Sequence, residues 1–154
     1  MMVGNTATQT KADRDRLSAI SEMRTCLCCA LEGWHDVPVT IHHITQAGRR
    51  MKDEHQHTLG LCAWHHLGIY NQGMSRKAAE SHFGPSLAHS KALFHERYGT
   101  ELQLLQVQDA LVRSYYADTR RGKYLPPEKI GRLTALLWDE ICRGRVLPRR
   151  VKDI

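Results

Sequence analysis

Residues 26–70 read CLCCALEGWHDVPVTIHHITQAGRRMKDEHQHTLGLCAWHHLGIY. This stretch holds every cysteine of the chain except Cys142, and most of its ten histidines. Two pairs frame it. Cys26-x-x-Cys29 opens the dense region and Cys62-x-x-His65 closes it. Two intervening residues let a tight turn aim both side chains at one ion, and four such N/S ligands make a closed tetrahedral zinc site. Cys28 competes for the first pair, but the spacing of Cys26 and Cys29 suits a knuckle better. The segment between the pairs is longer than in common finger patterns, and it carries the other histidines. As lone residues these cysteines would read as small buried apolar groups. Cys142, late in a helical pattern, keeps that reading.

Between the knuckles, Val37, Val39 and Ile41 alternate as a short strand would. Pro38 puts that strand at an edge or entry position. Ala47-Gly48 reads as a turn, with the basic residues Arg49, Arg50 and Lys52 on the loop that follows. Thr58–Leu61 suits a second strand, and Ala63 to about Tyr70 a short helix. His42-His43-Ile44 come just after that strand, and a bend at its end would let two neighbours serve one site in different roles. On the short helix His66 is turned by roughly 100° from His65. His65 can therefore face a closed site while His66 faces an open one.

Further out the pattern is helical. Leu17, Ile20 and Met23 recur at helical spacing. Residues 74–82 form another candidate helix, and Gly84-Pro85-Ser86 breaks the chain. Gly99 suits a C-terminal cap, and Thr100 with Gln103 a capping box. The helix that follows is expected to run to about Ala117, with Leu102, Leu105, Leu111, Val112 and Tyr115 inward. Pro126-Pro127 opens a last helix with Ile130, Leu133, Leu137 and Ile141. The expected organisation is a flexible N-terminal segment over 1–16, a zinc-knuckle domain over 17–112, and a helical extension with a basic tail over 113–154.

Composition bounds the function. At 154 residues the chain supports one domain, and 42% hydrophobic with 25% charged residues excludes a largely disordered protein. No apolar run approaches the ~20 residues of a membrane span. The N-terminal stretch MMVGNTATQTKADRDR lacks the apolar segment of a secretory signal, so a cytoplasmic protein is expected. In that reducing compartment five cysteines point to metal rather than disulfides. A net charge of +6 permits binding to a phosphate backbone.

The series Cys26-x-x-Cys29, His42-His43-Ile44, His57-Thr58-Leu59-Gly60-Leu61-Cys62 and His65-His66 resembles the HNH endonuclease core. That resemblance covers about residues 24–70. His42 replaces the usual Asp, His57 stands at the loop Asn, and His65 replaces a Cys. A narrower resemblance, over about 24–112, takes in the Gly-Arg-Arg stretch, HTLGLCxxHH, FGPSLA and FxxxYG. It is to the phage Ref (recombination enhancement function) nucleases, in which those departures are the expected residues.

The resemblance implies an α+β fold with a small ββα-metal (HNH) core and a zinc knuckle, surrounded by helices. It implies metal-dependent hydrolysis of DNA phosphodiesters at sites bound by a RecA filament, in a bacterial host cell. His43 takes the place of the general base, and His57 of the residue that orients it, with His55 a near substitute. His42 and His66 take the places of the ligands of a catalytic divalent ion. Mg²⁺ is the expected ion in use, while imidazole also admits Zn²⁺ or Mn²⁺.

Arg49, Arg50 and Lys52 are candidate phosphate contacts, and a solvated loop is the competing reading. The clusters at Arg120–Lys123 and Arg143–Lys152 read first as solvated surface. Lys11, Arg14 and Arg16 alternate with Asp13 and Asp15 and add little net field. His35, His82, His89 and His95 read as surface or satisfied polar residues. No base-reading motif is evident. A zinc module that only binds nucleic acid, and an HNH nuclease that needs no partner, are the alternatives to a RecA-directed enzyme.

Overall fold

In a computed structural model of the chain, residues 8–70 and 73–147 are described. The start of the expected N-terminal segment (1–7) and most of the basic tail (148–154) lie outside them. Helix α1 spans Lys11–Met23. Thr10 caps it: its hydroxyl accepts from the Asp13 amide at 3.1 Å, and the Asp13 carboxylate accepts from the Thr10 amide at 2.9 Å. Residues 11–16, expected within the flexible segment, are thus the first turns of a helix. Arg16 is buried there. Its guanidinium donates to Thr58 Oγ1 and Thr58 O, and pairs with Asp109 at 2.6 Å.

Helix α2 spans Leu27–Leu31. Two short antiparallel pairs follow. Strand β1 (Thr40–His43) pairs with β4 (Thr58–Leu61), with His42 opposite Leu59 and His43 opposite Thr58. Between them β2 (Thr45–Gln46) and β3 (Arg49–Arg50) form a hairpin over Ala47-Gly48. Both turn residues have positive φ, 49° and 75°, as a two-residue turn of mirror-image type requires. Pro38 keeps Val37 and Val39 out of the ladder, so β1 starts at Thr40. The Val37 amide donates instead to the Arg24 carbonyl at 2.9 Å.

The short helix α3 (Ala63–Leu67) comes directly after β4. The chain then forms α4 (Arg76–Phe83), α5 (Lys91–Tyr98), α6 (Glu101–Thr119) and α7 (Pro127–Cys142). Helix α6 crosses the expected boundary at 112/113 without a break. Its inward face is Leu104, Val107, Gln108, Leu111 and Val112, whereas Leu102 is exposed. One core joins Ile20 of α1, Leu59 and Leu61 of β4, Phe94 and Tyr98 of α5, the inward face of α6, and Ile130 and Leu137 of α7. Helix α7 packs on both α2 and α6. The chain is α+β, mostly helical, and no helix among the described residues is long and apolar enough to cross a membrane.

Candidate metal centre and histidine cluster

Both knuckles use one local device. Cys26 is the N-cap of α2, and its Sγ accepts from the Cys29 amide at 3.4 Å. Cys62 is the N-cap of α3, and its Sγ accepts from the His65 amide at 3.5 Å. In each pair the N-cap residue and the third helical residue project to the same side, as in a capping box. Cys28, one position earlier on α2, is buried but is not one of the grouped ligands; burial pushes its thiol up, and its interaction with Cys26 adds to the rise.

The four ligand atoms of Cys26, Cys29, Cys62 and His65 all lie within 4.8 Å of one another. Cys29 Sγ is 3.6 Å from Cys62 Sγ. His65 Nδ1 is 3.5 Å from Cys26 Sγ, 3.5 Å from Cys29 Sγ and 3.2 Å from Cys62 Sγ. A zinc tetrahedron with its usual bond lengths has edges of roughly 3.8 Å between sulfurs and 3.5 Å from sulfur to nitrogen. The donor set therefore fits zinc. His65 Nε2 donates to the Phe83 carbonyl at 2.9 Å, which aims Nδ1 at the three sulfurs. Burial opposes a charged His65, yet hydrogen bonds to Cys26 and Cys62 outweigh it and raise the group to about 10. Metal would take that proton's place. Behind His65, the Tyr98 hydroxyl donates to Glu32 at 3.0 Å, and Arg97 grips the same carboxylate.

The second cluster lies where β1, α3 and α6 meet. His42 and His66 rings stand edge to face with centroids 5.0 Å apart. Thr40 donates its one hydroxyl proton to the Leu61 carbonyl at 2.9 Å, so at 2.7 Å it must accept from His66 Nδ1. That leaves the electron pair of His66 on Nε2. His42 Nε2 lies 2.6 Å from Glu101 Oε1, so the free pair of a neutral His42 ring is on Nδ1. The hydrogen bond from His42 holds the Glu101 carboxyl below the usual range despite burial. Burial lowers His66, with His42 and His43 adding to the effect.

His43 faces His55 rather than His57. His43 Nε2 is 3.2 Å from His55 Nδ1, and the rings lie 5.3 Å apart. His55 Nε2 lies 3.7 Å from Glu54 Oε1, and Arg50 pairs with the other oxygen of Glu54 at 3.1 Å. Burial is the main cause that holds His43 below the ordinary imidazole value, with the Arg50 charge and the neighbouring His55 adding to it. His57 turns away. Its Nδ1 donates to the Asp53 carbonyl at 3.1 Å, and its ring lines a cleft with Arg16, Leu105, Asp109 and Tyr116. Arg49 and Lys52 are exposed on and beside the β2–β3 hairpin, while Arg50 is tied to Glu54. Glu101 and His95 carry no motif in the sequence. Only the acidic first turn of a capped helix hinted at the former.

A buried Cys/His donor set able to hold a metal ion thus stands beside an imidazole cluster on a strand–strand–helix unit of a small α+β protein. The chain belongs to the family described as recombination enhancement, RecA-dependent nuclease, which matches residues 8–113. Helix α7 falls outside the matched region. No curated protein and no solved structure matches the chain significantly.

Proposed function

We propose that the chain is an HNH-type endonuclease that hydrolyses DNA phosphodiester bonds with a divalent ion and is directed to its sites by RecA filaments in the bacterial cytoplasm. The observation that carries this reading is the arrangement of three histidines. His42 and His66 each retain one free nitrogen with the other tied down, and His43 stands next to them with its Nε2 turned to His55. Such fixed tautomers are what ligands and bases need.

His43 takes the proton of the attacking water through Nδ1, the nitrogen not turned to His55. Its lowered affinity for protons keeps it neutral and competent near pH 7. In this reading His55 holds the His43 ring and Glu54 steadies His55, the role expected of His57; the 3.2 Å contact of His43 with His55 supports it. His42 and His66 would hold the divalent ion, which supplies Lewis-acid stabilisation of the leaving oxygen. Two imidazoles suit Mn²⁺ or Zn²⁺ at least as well as Mg²⁺. Cys26, Cys29, Cys62 and His65 hold a structural zinc. Arg49 and Lys52, with Arg50 in part, contact phosphates without reading sequence.

The test is cleavage of circular duplex DNA with Mg²⁺ or Mn²⁺, with and without a RecA filament on a matching oligonucleotide. Wild type and His43→Ala are compared. Filament-dependent cutting that the variant loses is expected. Filament-independent cutting would keep the nuclease and remove the partner. No cutting by folded, zinc-loaded protein would leave a nucleic-acid-binding zinc module.

A further inference from the structure

We infer that Glu101 is a positioning residue for the catalytic centre: from the start of α6 its carboxylate fixes the ring and tautomer of His42. The inference rests on the reading of His42 as a ligand of the catalytic ion, and adds to it a residue far away in sequence. The carboxylate is buried. Its Oε1 is 2.6 Å from His42 Nε2. Its Oε2 faces α5, with His95 Nε2 at 3.3 Å and Lys91 Nζ at 3.8 Å. One oxygen thus faces α5 at ion-pair range and the other is spent on His42.

The backbone fixes Glu101 as firmly. It is the first residue of α6, directly after Thr100, whose hydroxyl accepts from the Gln103 amide at 3.2 Å while Gln103 Oε1 accepts from the Thr100 amide at 2.9 Å. Eight residues on, Asp109 pairs with Arg16, which in turn binds Thr58 of β4. Between them Gln108 Oε1 accepts from the Gly60 amide at 2.9 Å. The helix that delivers the carboxylate is therefore bolted to the sheet that carries His42. A carboxylate on the far nitrogen of a ligating imidazole fixes ring orientation and raises ligand basicity. A surface ion pair would do neither, and this one is not at the surface.

The experiment reads metal binding as well as activity. Zinc-loaded protein is titrated with Mn²⁺, and the free ion is followed by electron paramagnetic resonance. Mn²⁺ prefers oxygen and nitrogen donors, so it leaves the thiolate site to zinc. Wild type, His42→Ala, Glu101→Ala, Glu101→Met and Glu101→Gln are compared, with zinc content and melting recorded for each. Glu101→Ala and Glu101→Met are expected to weaken Mn²⁺ binding by about 10- to 100-fold and to lower kcat while KM for DNA holds. Glu101→Gln still offers an acceptor oxygen and should recover most of the affinity. Glu101→Met matches the length of the side chain and carries the test if Ala does not fold.

Wild-type Mn²⁺ affinity in folded Glu101→Ala or Glu101→Met, with loss in His42→Ala, would overturn the inference and leave the catalytic reading standing. Wild-type affinity in His42→Ala as well would remove His42 as a ligand, and the inference with it.

Discussion

At the residue scale, neighbours in sequence take opposite fates because helix position decides what a side chain can reach. Cys28 and Cys29 differ by one place on α2, and only Cys29 joins the ligand cluster. Cys29→Ala should therefore lose the bound zinc, while Cys28→Ala should keep it and lose only packing. Metal content of the two purified variants checks this, and zinc loss from Cys28→Ala alone would reverse the assignment. The knuckle pairs were legible because their spacing is a property of one helical turn. His55 against His57 was not, because a 3₁₀ turn over Glu54–Gln56, entered through Asp53 at a φ of 57°, decides which ring swings towards β1. His43 also carries a pH prediction. Its proton affinity is lowered, so as the base proposed above it stays neutral as pH falls, and cleavage should fail only below the ordinary imidazole value of 6.5. The Arg50 charge contributes to that lowering. Arg50→Gln should move the acid limb of the pH–rate profile upwards, and a limb that moves down would contradict the placement of His43.

At the element scale, strand and helix existence followed from pattern, while faces and ends followed from packing. The β4 strand reads as a plain apolar run, and nothing in it announces Gly60 as a contact. A Cβ there would come within 2.8 Å of the buried Ile20 Cγ2, on the side where α1 crosses the sheet. Gly60→Ala should cost about 1–3 kcal/mol of stability by overpacking. Ile20→Ala alone should cost about 2–5 kcal/mol as a large-to-small core change. Because the new methyl would fill part of the space left by Ile20, the double variant should cost less than the sum of the two. Strictly additive denaturation midpoints would show that the two side chains do not meet. Helix α6 teaches the same lesson from the other side. Its Leu102 and Leu105 fit a helical period, and Leu105 does pack against the core, but the face tied to β4 through Gln108 also takes Leu104 and Val107 inward and leaves Leu102 exposed. A period fixes the spacing of a face, and only the neighbouring element fixes which face is used.

At the scale of the whole molecule, the family match stops at residue 113 in the middle of α6, yet the fold does not stop there. Helix α7 lies on α2, the helix that presents two residues of the Cys/His cluster, and on α6. The packing is close. Gly131 of α7 leaves room for the His35 ring beyond α2, and Trp138 covers Gly99 at the end of α5. Leu137 of α7 is fully buried in the core. The extension was legible as a helix from Pro126-Pro127 and its apolar spacing. Its docking place was not, because His35 read only as a surface or satisfied polar residue and no pattern tied it to Gly131. If α7 braces the knuckle, Leu137→Ala should lower stability by about 2–5 kcal/mol and also let a chelator take the zinc faster. The second effect is the informative one. Chelation that needs α2 to move tracks local opening, whose free energy can lie well below that of global unfolding. Comparing zinc release from Leu137→Ala with release from Ile20→Ala, at matched global stability, separates the two. Faster release from the α7 variant alone would make the C-terminal helix part of the metal centre's frame, and equal release would confine it to general support of the core.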